Sequence, residues 1–222
     1  MEKKKSNTYL IISIIFFALF LIFAICVWKI DRAPIGPNDS IVGFSKLNKW
    51  FSDLVGCNMT LYTITDLVSI LPIATALIYA TIGIVQWIKR KSIKNVDGNI
   101  LVLGAFYVVL FIIYFMFNHI VINYRPVLIN GKLEPSFPSS TTLLSITFMM
   151  LSIYESNRLL KSKTAKTAIN IISIVIMAFL VIGRVISGVH WLSDIIASIL
   201  LSVAILFMYY FICERLNNKN HQ

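Results

Sequence analysis

Long runs of apolar residues, separated by short polar connections, dominate the pattern of this chain. An apolar run of roughly 18 or more residues is typical of a helix that spans a membrane. The pattern predicts such helices at residues 9–28, 66–87, 100–122, 141–154, 168–186 and 191–212. The fourth run is short and begins with polar residues, so we expect its upper end to lie below the membrane surface. We therefore predict an all-α fold, a polytopic membrane bundle of about six transmembrane helices that forms a single domain over residues 1–222.

Residues 41–55 follow a different pattern, because apolar and polar positions alternate there at helical spacing. The apolar positions are Ile41, Phe44, Leu47, Phe51, Leu54 and Val55. This spacing predicts an amphipathic helix that lies in the outer membrane interface. Such a helix could be a lid or a lateral entrance for a lipid, and it could equally be a structural cover for the bundle.

The composition agrees with a membrane protein, since 58% of the residues are hydrophobic and the mean hydropathy is +0.81. The first apolar run follows Glu2-Lys3-Lys4-Lys5. It is long and no small-x-small cleavage site follows it, which favours an uncleaved anchor over a signal peptide. The three cysteines show no pairing framework and no metal-ligand spacing.

A net charge of +10 would suggest nucleic acid as the partner of a soluble protein, but the positions of the basic residues indicate otherwise. Most of them lie in the N-terminus, two alternate connections and the C-terminal tail: Lys3, Lys4, Lys5, Lys89, Arg90, Lys91, Lys94, Arg158, Lys161, Lys163, Lys166, Arg215 and Lys219. The positive-inside rule makes that side cytoplasmic. We therefore predict a multi-pass plasma-membrane protein with both termini in the cytoplasm, contacts with anionic membrane lipids and no nucleic acid partner.

Candidate chemistry lies between the last two apolar runs, where Arg184, His190 and Asp194 occur. Ionisable groups at membrane depth are rare unless they face a polar cavity. His190 and Asp194 are four residues apart, so on a helix they would share a face. The carboxylate could then hold one imidazole nitrogen and leave the other free to attack, while Arg184 suits a phosphate. The alternative is a salt bridge that joins helices.

Two further clusters favour the catalytic interpretation. Arg125-Pro126 stands at the end of the third apolar run, and Pro138-Ser139 stands at the start of the fourth. The free N–H groups in the first turn of a helix form an anion site, to which the Ser139 hydroxyl would add a donor. Alternate connections of a bundle meet on one side of the membrane, so these clusters can converge. Together they predict a phosphoryl-transfer site on the outer face, with His190 attacking in line.

These motifs resemble those of the type-2 phosphatidic acid phosphatase superfamily, the lipid phosphatase and haloperoxidase-like proteins. The family pattern is Lys-x6-Arg-Pro, then Pro-Ser-Gly-His, then Ser-Arg-x5-His-x3-Asp. The match covers roughly residues 118–194, and the six-span layout extends it to the whole chain. The resemblance implies that His190 is the nucleophile and forms a phosphohistidine oriented by Asp194. It also implies that Arg125, Ser139 and Arg184 hold the phosphate, with no metal ion or other cofactor.

The chain departs from this pattern at four positions. Asn118 stands in place of the lysine, Ser140 in place of the glycine and Gly183 in place of the serine. Thr141 stands where the family has the histidine that protonates the leaving group. Threonine is not a general acid near neutral pH, and a missing acid costs about 10²–10⁴-fold in rate.

Three explanations of Thr141 are open at this point. Another group could donate the proton, and Glu134 and His119 are the nearest titratable candidates in the sequence. A leaving group such as the phosphate of a diphosphate could need little help. Alternatively, the protein could be a degenerate member that binds a lipid phosphate without cleaving it.

The sequence thus predicts a membrane lipid-phosphate phosphatase that acts on a lipid phosphate or a prenyl diphosphate at the outer leaflet. A phosphotransferase using the same histidine and a non-catalytic lipid-phosphate binder are the alternatives. A transporter is disfavoured by the short chain and the lack of a visible inverted repeat. The sequence leaves the substrate's tail, its head group and the oligomeric state open.

Overall fold

The structure, a computed structural model, describes the backbone of residues 2–219 and the side chains of residues 6–218. This part of the chain folds into eight α-helices: α1 (Glu2–Lys29), α2 (Ser45–Val55), α3 (Met59–Val68), α4 (Ile70–Arg90), α5 (Gly98–His119), α6 (Ser140–Leu159), α7 (Lys163–Ile186) and α8 (Leu192–Lys219). Two single turns of 3₁₀-helix, Pro37–Asp39 and Ile93–Asn95, lie in the connections. The predicted all-α membrane fold is confirmed.

Five stretches of the described chain are long and apolar enough to cross a membrane: Ser6–Lys29, Met59–Arg90, Gly98–His119, Lys163–Ile186 and Leu192–Asn218. They correspond to five of the six predicted spans. The sixth, predicted at residues 141–154, is α6, which is longer than the apolar run but does not belong to these five. The number six therefore holds only approximately.

The polar character of α6 follows from its position in the middle of the bundle. It packs against α4, α7 and α8, and about half of its side chains are buried. Its small hydroxyl residues bond within the helix, as when Ser145 donates to the Thr142 carbonyl (3.1 Å) and Thr147 to the Leu143 carbonyl (2.7 Å). A helix surrounded by protein can carry such residues, because they do not face lipid.

The second predicted span begins differently from the expectation. Asp66 was predicted as its first residue, but it lies inside α3, and α4 follows after a break at Ser69. Asn58 caps α3 by accepting a hydrogen bond from the Leu61 N–H (2.9 Å). Threonines in α3 weaken the apolar signal there, so the hydropathy pattern did not predict α3 as a helix of its own.

The predicted amphipathic segment forms α2, with its polar side facing the protein. Ser45 and Asn48 are buried, whereas Leu47, Trp50 and Leu54 are exposed. In a soluble domain the two faces would be reversed. An outward apolar face on a short helix beside the bundle is typical of a helix at a membrane interface.

The connections between the long helices divide between two ends of the bundle. We call the end where α5 and α7 finish and α6 and α8 begin the site end. Helices α2 and α3 also lie there, since Asn48 bonds to Ser193 (2.9 Å) and the Asn58 N–H donates to the Ser187 carbonyl (2.9 Å). The basic clusters identified in the sequence lie at the opposite end.

A buried carboxylate at that opposite end is fully paired. Glu155 is inaccessible to solvent and accepts hydrogen bonds from Arg158 Nη2 (2.6 Å) and the Tyr209 hydroxyl. Arg158 also donates to Asp97 through Nη1 (2.6 Å). The cluster joins α5, α6 and α8, and its complete pairing indicates a structural role.

Candidate active site

Arg125 reaches the site through the connection between α5 and α6, which folds back on itself as a narrow hairpin. The Arg125 N–H donates to the Glu134 carbonyl (3.0 Å), and the Ser136 N–H to the Asn123 carbonyl (2.9 Å). The indole N–H of Trp191 donates to the carbonyl of Tyr124 (2.6 Å). This last bond ties the hairpin to the residues just before α8.

His190 lies between Arg125 and Asp194. Its Nε2 is 3.0 Å from Arg125 Nη1, and its Nδ1 is 3.5 Å from Asp194 Oδ2. Both His190 and Asp194 are buried. The predicted contact therefore forms, but the two residues do not share a regular helix: His190 lies in the turn before α8, and Asp194 lies in its first turn.

The surroundings keep the His190 imidazole neutral. Burial, and next the positive charge of Arg125, lower its pKa from the ordinary 6.5 to about 4, against the opposing effect of Asp194. Because Arg125 is always a donor, Nε2 must accept, and the ring proton then lies on Nδ1, facing the carboxylate. The imidazole thus has a lone pair on Nε2 at neutral pH.

Asp194 is itself held in place by its neighbours. Its Oδ2 accepts from the Trp191 N–H (3.1 Å), and its Oδ1 lies 3.5 Å from Asn123 Nδ2. Ser193 beside it accepts a hydrogen bond from Asn48 on α2 (2.9 Å). Sequence reasoning gave no role to Asn48 or Asn123, since an asparagine on the polar face of a helix or in a loop carries no signal of a distant partner.

A cavity of about 280 Å³ opens in front of His190, between α5, α6 and the hairpin. Its polar lining comprises Arg125, His190, Tyr114, Asn118, Glu134, Ser136 and Ser140, and its apolar lining includes Ile113, Phe117, Leu143 and Leu144. We call it the nucleophile cavity. Among the described residues, no group of three or more His, Cys, Asp or Glu side chains is placed to hold a metal ion.

Ser139 does not line the nucleophile cavity, although Ser140 does. The Ser139 side chain caps α6: it accepts from the Thr142 N–H (3.4 Å) and donates to Thr142 Oγ1 (3.0 Å). Ser139 is fully buried. The structure therefore places Ser139 beneath the first turn of α6, in a position that orients this turn.

Arg184 meets two residues of α3 that sequence reasoning did not connect with it. Its Nη2 donates to Asp66 Oδ1 at 2.7 Å, and its guanidinium carbon lies 4.7 Å from the centre of the Tyr62 ring. The guanidinium carbon of Arg125 is 5.9 Å from the same ring. Tyr62 therefore lies close to both arginines. The sequence offered one indication that Asp66 is functional, namely that its carboxylate stands at the edge of an apolar run.

Of the two candidate acids, Glu134 lies at the nucleophile cavity and His119 does not. Glu134 lines the nucleophile cavity and forms an ion pair with Arg125 Nε (3.2 Å). His119 is exposed, and its ring packs on Phe115 with 4.2 Å between ring centres. Thr141 lines a second, larger cavity of about 440 Å³ between α3, α4, α5 and α6, which we call the lipid cavity.

The comparisons with known proteins agree with this architecture. The sequence model of the PAP2 superfamily matches residues 11–217, and the chain belongs to this superfamily. A solved structure, the transmembrane PAP2-type phosphatidylglycerolphosphate phosphatase from Bacillus subtilis, has a similar fold with a TM-score of 0.63 and 19% sequence identity. The match covers 92% of this chain and 96% of that one. The search of the curated proteins found no match.

Proposed function

We propose that this protein is a membrane lipid-phosphate phosphatase that transfers the phosphoryl group to His190 and then to water. The observation that carries the proposal is the row formed by Arg125, His190 and Asp194 at the edge of the nucleophile cavity. The cavity has both polar and apolar walls, which suits a phosphate attached to a lipid. Membership of the PAP2 superfamily supports the same chemistry.

In this proposal His190 Nε2 attacks phosphorus, and Asp194 stabilises the imidazolium that forms on phosphorylation. The Arg125 N–H that contacts Nε2 in the free protein moves to the phosphate oxygens. Arg184 and the free N–H groups at the start of α6 bind the remaining oxygens, and Ser139 orients that turn through its cap. The scheme requires no metal ion.

We further propose that the site end faces the outside of the plasma membrane. The basic clusters lie at the opposite end, which the positive-inside rule assigns to the cytoplasm together with both chain termini. The substrate would then be a lipid phosphate or a prenyl diphosphate of the outer leaflet.

The test is phosphate release by the purified protein from prenyl diphosphate, phosphatidic acid and phosphatidylglycerophosphate. We expect release from at least one lipid and no release by His190→Ala, because nothing beside it can replace the attacking nitrogen. Asp194→Asn should retain part of the activity, since it disturbs the orientation of the imidazole without removing the attacking atom. Unchanged turnover by His190→Ala would overturn the proposal.

A non-catalytic lipid-phosphate binder is the second candidate. It is favoured by Thr141 and by the pairing of both arginines with carboxylates, Arg125 with Glu134 and Arg184 with Asp66. A binder would be stabilised against thermal unfolding by inorganic phosphate and would release none from the panel. A phosphotransferase would release less free phosphate when an acceptor alcohol is added and would form the new phosphate ester instead.

A further inference from the structure

The nucleophile cavity and the lipid cavity meet at the start of α6. Both are lined by Tyr114, Ser140 and Leu144. His190 lines only the first, whereas Asp66 and Thr141 line only the second. Ser140, the first residue of α6, therefore lies between the histidine on one side and the Asp66 carboxylate on the other.

In-line phosphoryl transfer places the attacking atom and the leaving oxygen on opposite sides of phosphorus. A phosphate bound at the start of α6, with His190 on one side, has its leaving group directed towards the lipid cavity. That cavity is mostly apolar, with Pro72, Ile73, Leu110, Phe111 and Phe148 among its lining residues. Such walls suit the hydrocarbon part of a departing lipid alcohol.

We propose that Asp66 on α3 is the proton donor to the leaving oxygen, and that it supplies the acid that Thr141 cannot. The inference rests on the proposed function and names a further catalytic residue for it. Asp66 provides the carboxyl group of the lipid cavity, on the side of the phosphate that an in-line leaving group occupies. Its side chain is 60% exposed, so it is accessible from the lipid cavity.

The contact between Asp66 and Arg184 places the proposed acid beside a group that can bind the phosphate. Arg184 is 1% exposed, and its Nε and Nη1 have no hydrogen-bond partner among the described residues. Arg184 lines neither cavity, and a buried N–H without a partner is costly, so a phosphate brought beside Arg184 would satisfy these donors. A phosphate beside Arg184 would also lie close to Asp66, whose Oδ1 is 2.7 Å from Arg184 Nη2.

No other charged group lines the lipid cavity in the described part of the chain. Apart from Asp66, its polar lining residues are Ser69, Tyr107, Tyr114, Ser140, Thr141 and Ser145. Tyr62, one turn before Asp66 on the same face of α3, stacks on Arg184. Asp66 is therefore the one carboxyl group that the described part of this cavity offers as an acid.

The packing of α3 on α7 fixes Asp66 relative to Arg184. A Cβ at Gly183 would lie 2.4 Å from Thr65 Cγ2, so this glycine lets α3 approach. Gly183 is one of the positions where the chain departs from the family pattern, which has serine there. A serine side chain would collide with Thr65, so this departure accommodates the helix that carries Asp66.

The two acids named from the sequence are less suitable. Glu134 lines the nucleophile cavity, on the same side of the phosphate as His190, and it is paired with Arg125. His119 lines neither cavity. An in-line leaving group would reach neither residue.

The proposed reaction has two steps, transfer of the phosphoryl group to His190 and its release to water. His190 Nε2 forms the bond to phosphorus, the bond from phosphorus to the lipid oxygen breaks, and its electron pair stays on that oxygen. The oxygen takes the proton of Asp66 and departs as the lipid alcohol. Water then attacks the phosphohistidine and gives its proton to the Asp66 carboxylate, so that phosphate leaves and both residues return to their starting forms.

The test uses the full-length protein with farnesyl monophosphate and farnesyl diphosphate, which share one tail. The leaving group of the monophosphate is the farnesyl alkoxide, which needs a proton. The leaving group of the diphosphate is farnesyl monophosphate, which needs little help. We expect Asp66→Asn to lower kcat on the monophosphate by about 10²–10⁴-fold and on the diphosphate by less than about tenfold. The ratio of the two rates does not depend on the fraction of protein that is folded.

Two variants serve as controls. Asp53→Asn removes an exposed carboxylate of α2, which is paired with Lys49 at 3.1 Å, and should leave both rates unchanged. Asp66→Glu keeps a carboxyl and should keep the ratio of the unmodified protein. Adding Thr141→His to Asp66→Asn places an acid in the same cavity and should restore much of the monophosphate hydrolysis.

The outcomes separate this inference from the proposed function. Equal losses on both substrates by Asp66→Asn, without rescue by Thr141→His, would mean that Asp66 only positions Arg184, and would overturn the inference alone. A selective loss of monophosphate hydrolysis in Glu134→Gln, with none in Asp66→Asn, would do the same. No turnover of either substrate by the unmodified protein would overturn both.

Discussion

The His190 imidazole has a cation beside one nitrogen and a carboxylate beside the other. Arg125 contacts Nε2 at 3.0 Å, and Asp194 lies 3.5 Å from Nδ1. The cation and the burial together outweigh the carboxylate, so the pKa of the imidazole falls to about 4. The proposed nucleophile therefore needs no separate base to deprotonate it at neutral pH.

This lowered pKa makes the stability of the protein depend on pH in a defined direction. Between about pH 6.5 and 4 the unfolded protein binds a proton at His190 that the folded protein excludes, so stability falls as the pH falls. The loss from pH 6.5 to 5 should be about 2 kcal/mol at most. His190→Gln lacks this titration, so its Tm in detergent should fall less over the same range. Equal slopes for the two proteins would contradict the pKa assigned to His190.

At the scale of the elements, the short helix α3 links the site to the bundle. It has 10 residues, which is too short for an isolated helix to be stable in water, so its order depends on packing against α7. The close approach at Gly183 and the bond from the Asn58 N–H to the Ser187 carbonyl (2.9 Å) hold it there. A change that displaces α3 should therefore affect the site through Tyr62 and Asp66.

We predict that Gly183→Ala destabilises the protein by about 1–3 kcal/mol, because the new Cβ overlaps Thr65 Cγ2. Thr65→Ser removes that methyl carbon and keeps the hydroxyl that donates to the Leu61 carbonyl (2.9 Å), so it should restore most of the stability. The measurement is Tm in detergent, together with turnover of the best substrate in the panel.

Gly104→Ala on α5 is the matched control, since nothing lies within 4 Å of the Cβ it would add. It should change neither quantity. If Gly183→Ala also leaves Tm and turnover unchanged, the contact between α3 and α7 is looser than the structure indicates.

At the scale of the whole molecule, the charge of the chain is divided between the two ends of the bundle. The basic clusters lie at one end, and His190 with both cavities lies towards the other. Oriented by the positive-inside rule, the protein would present its site to the outer leaflet. It could then take a lipid laterally between its helices without moving a phosphate across the hydrocarbon core.

This orientation predicts how single thiols react with a membrane-impermeant reagent in intact cells. Cys57 is exposed and free at the site end, so it should be labelled from outside. Lys161→Cys, placed at the opposite end in a Cys57→Ser background, should react only after the cells are opened. Labelling of residue 161 in intact cells would reverse the orientation and place the site in the cytoplasm.

The sequence by itself determined the class of fold and the residues nearest to the proposed chemistry. Apolar runs long enough to cross a membrane specify helices, because the hydrocarbon core leaves the backbone few other ways to satisfy its hydrogen bonds. The motif around His190 and Asp194 is local, so its spacing was sufficient to predict their contact. The sequence also counted α6 among the spans, although its run is short and begins with polar residues, and α6 is not one of the five apolar spans of the described chain.

Only the tertiary structure decided which distant groups share the site. Asp66 and Arg184 are 118 positions apart and meet because a glycine allows α3 to pack against α7. Likewise, Ser139 and Ser140 are neighbours in the chain, but the first turn of α6 directs one into its cap and the other into the cavities. Hydropathy and motif spacing indicate the secondary structure and membrane location of each segment. Contacts between segments depend on how side chains fit at a few close approaches, which no single segment encodes.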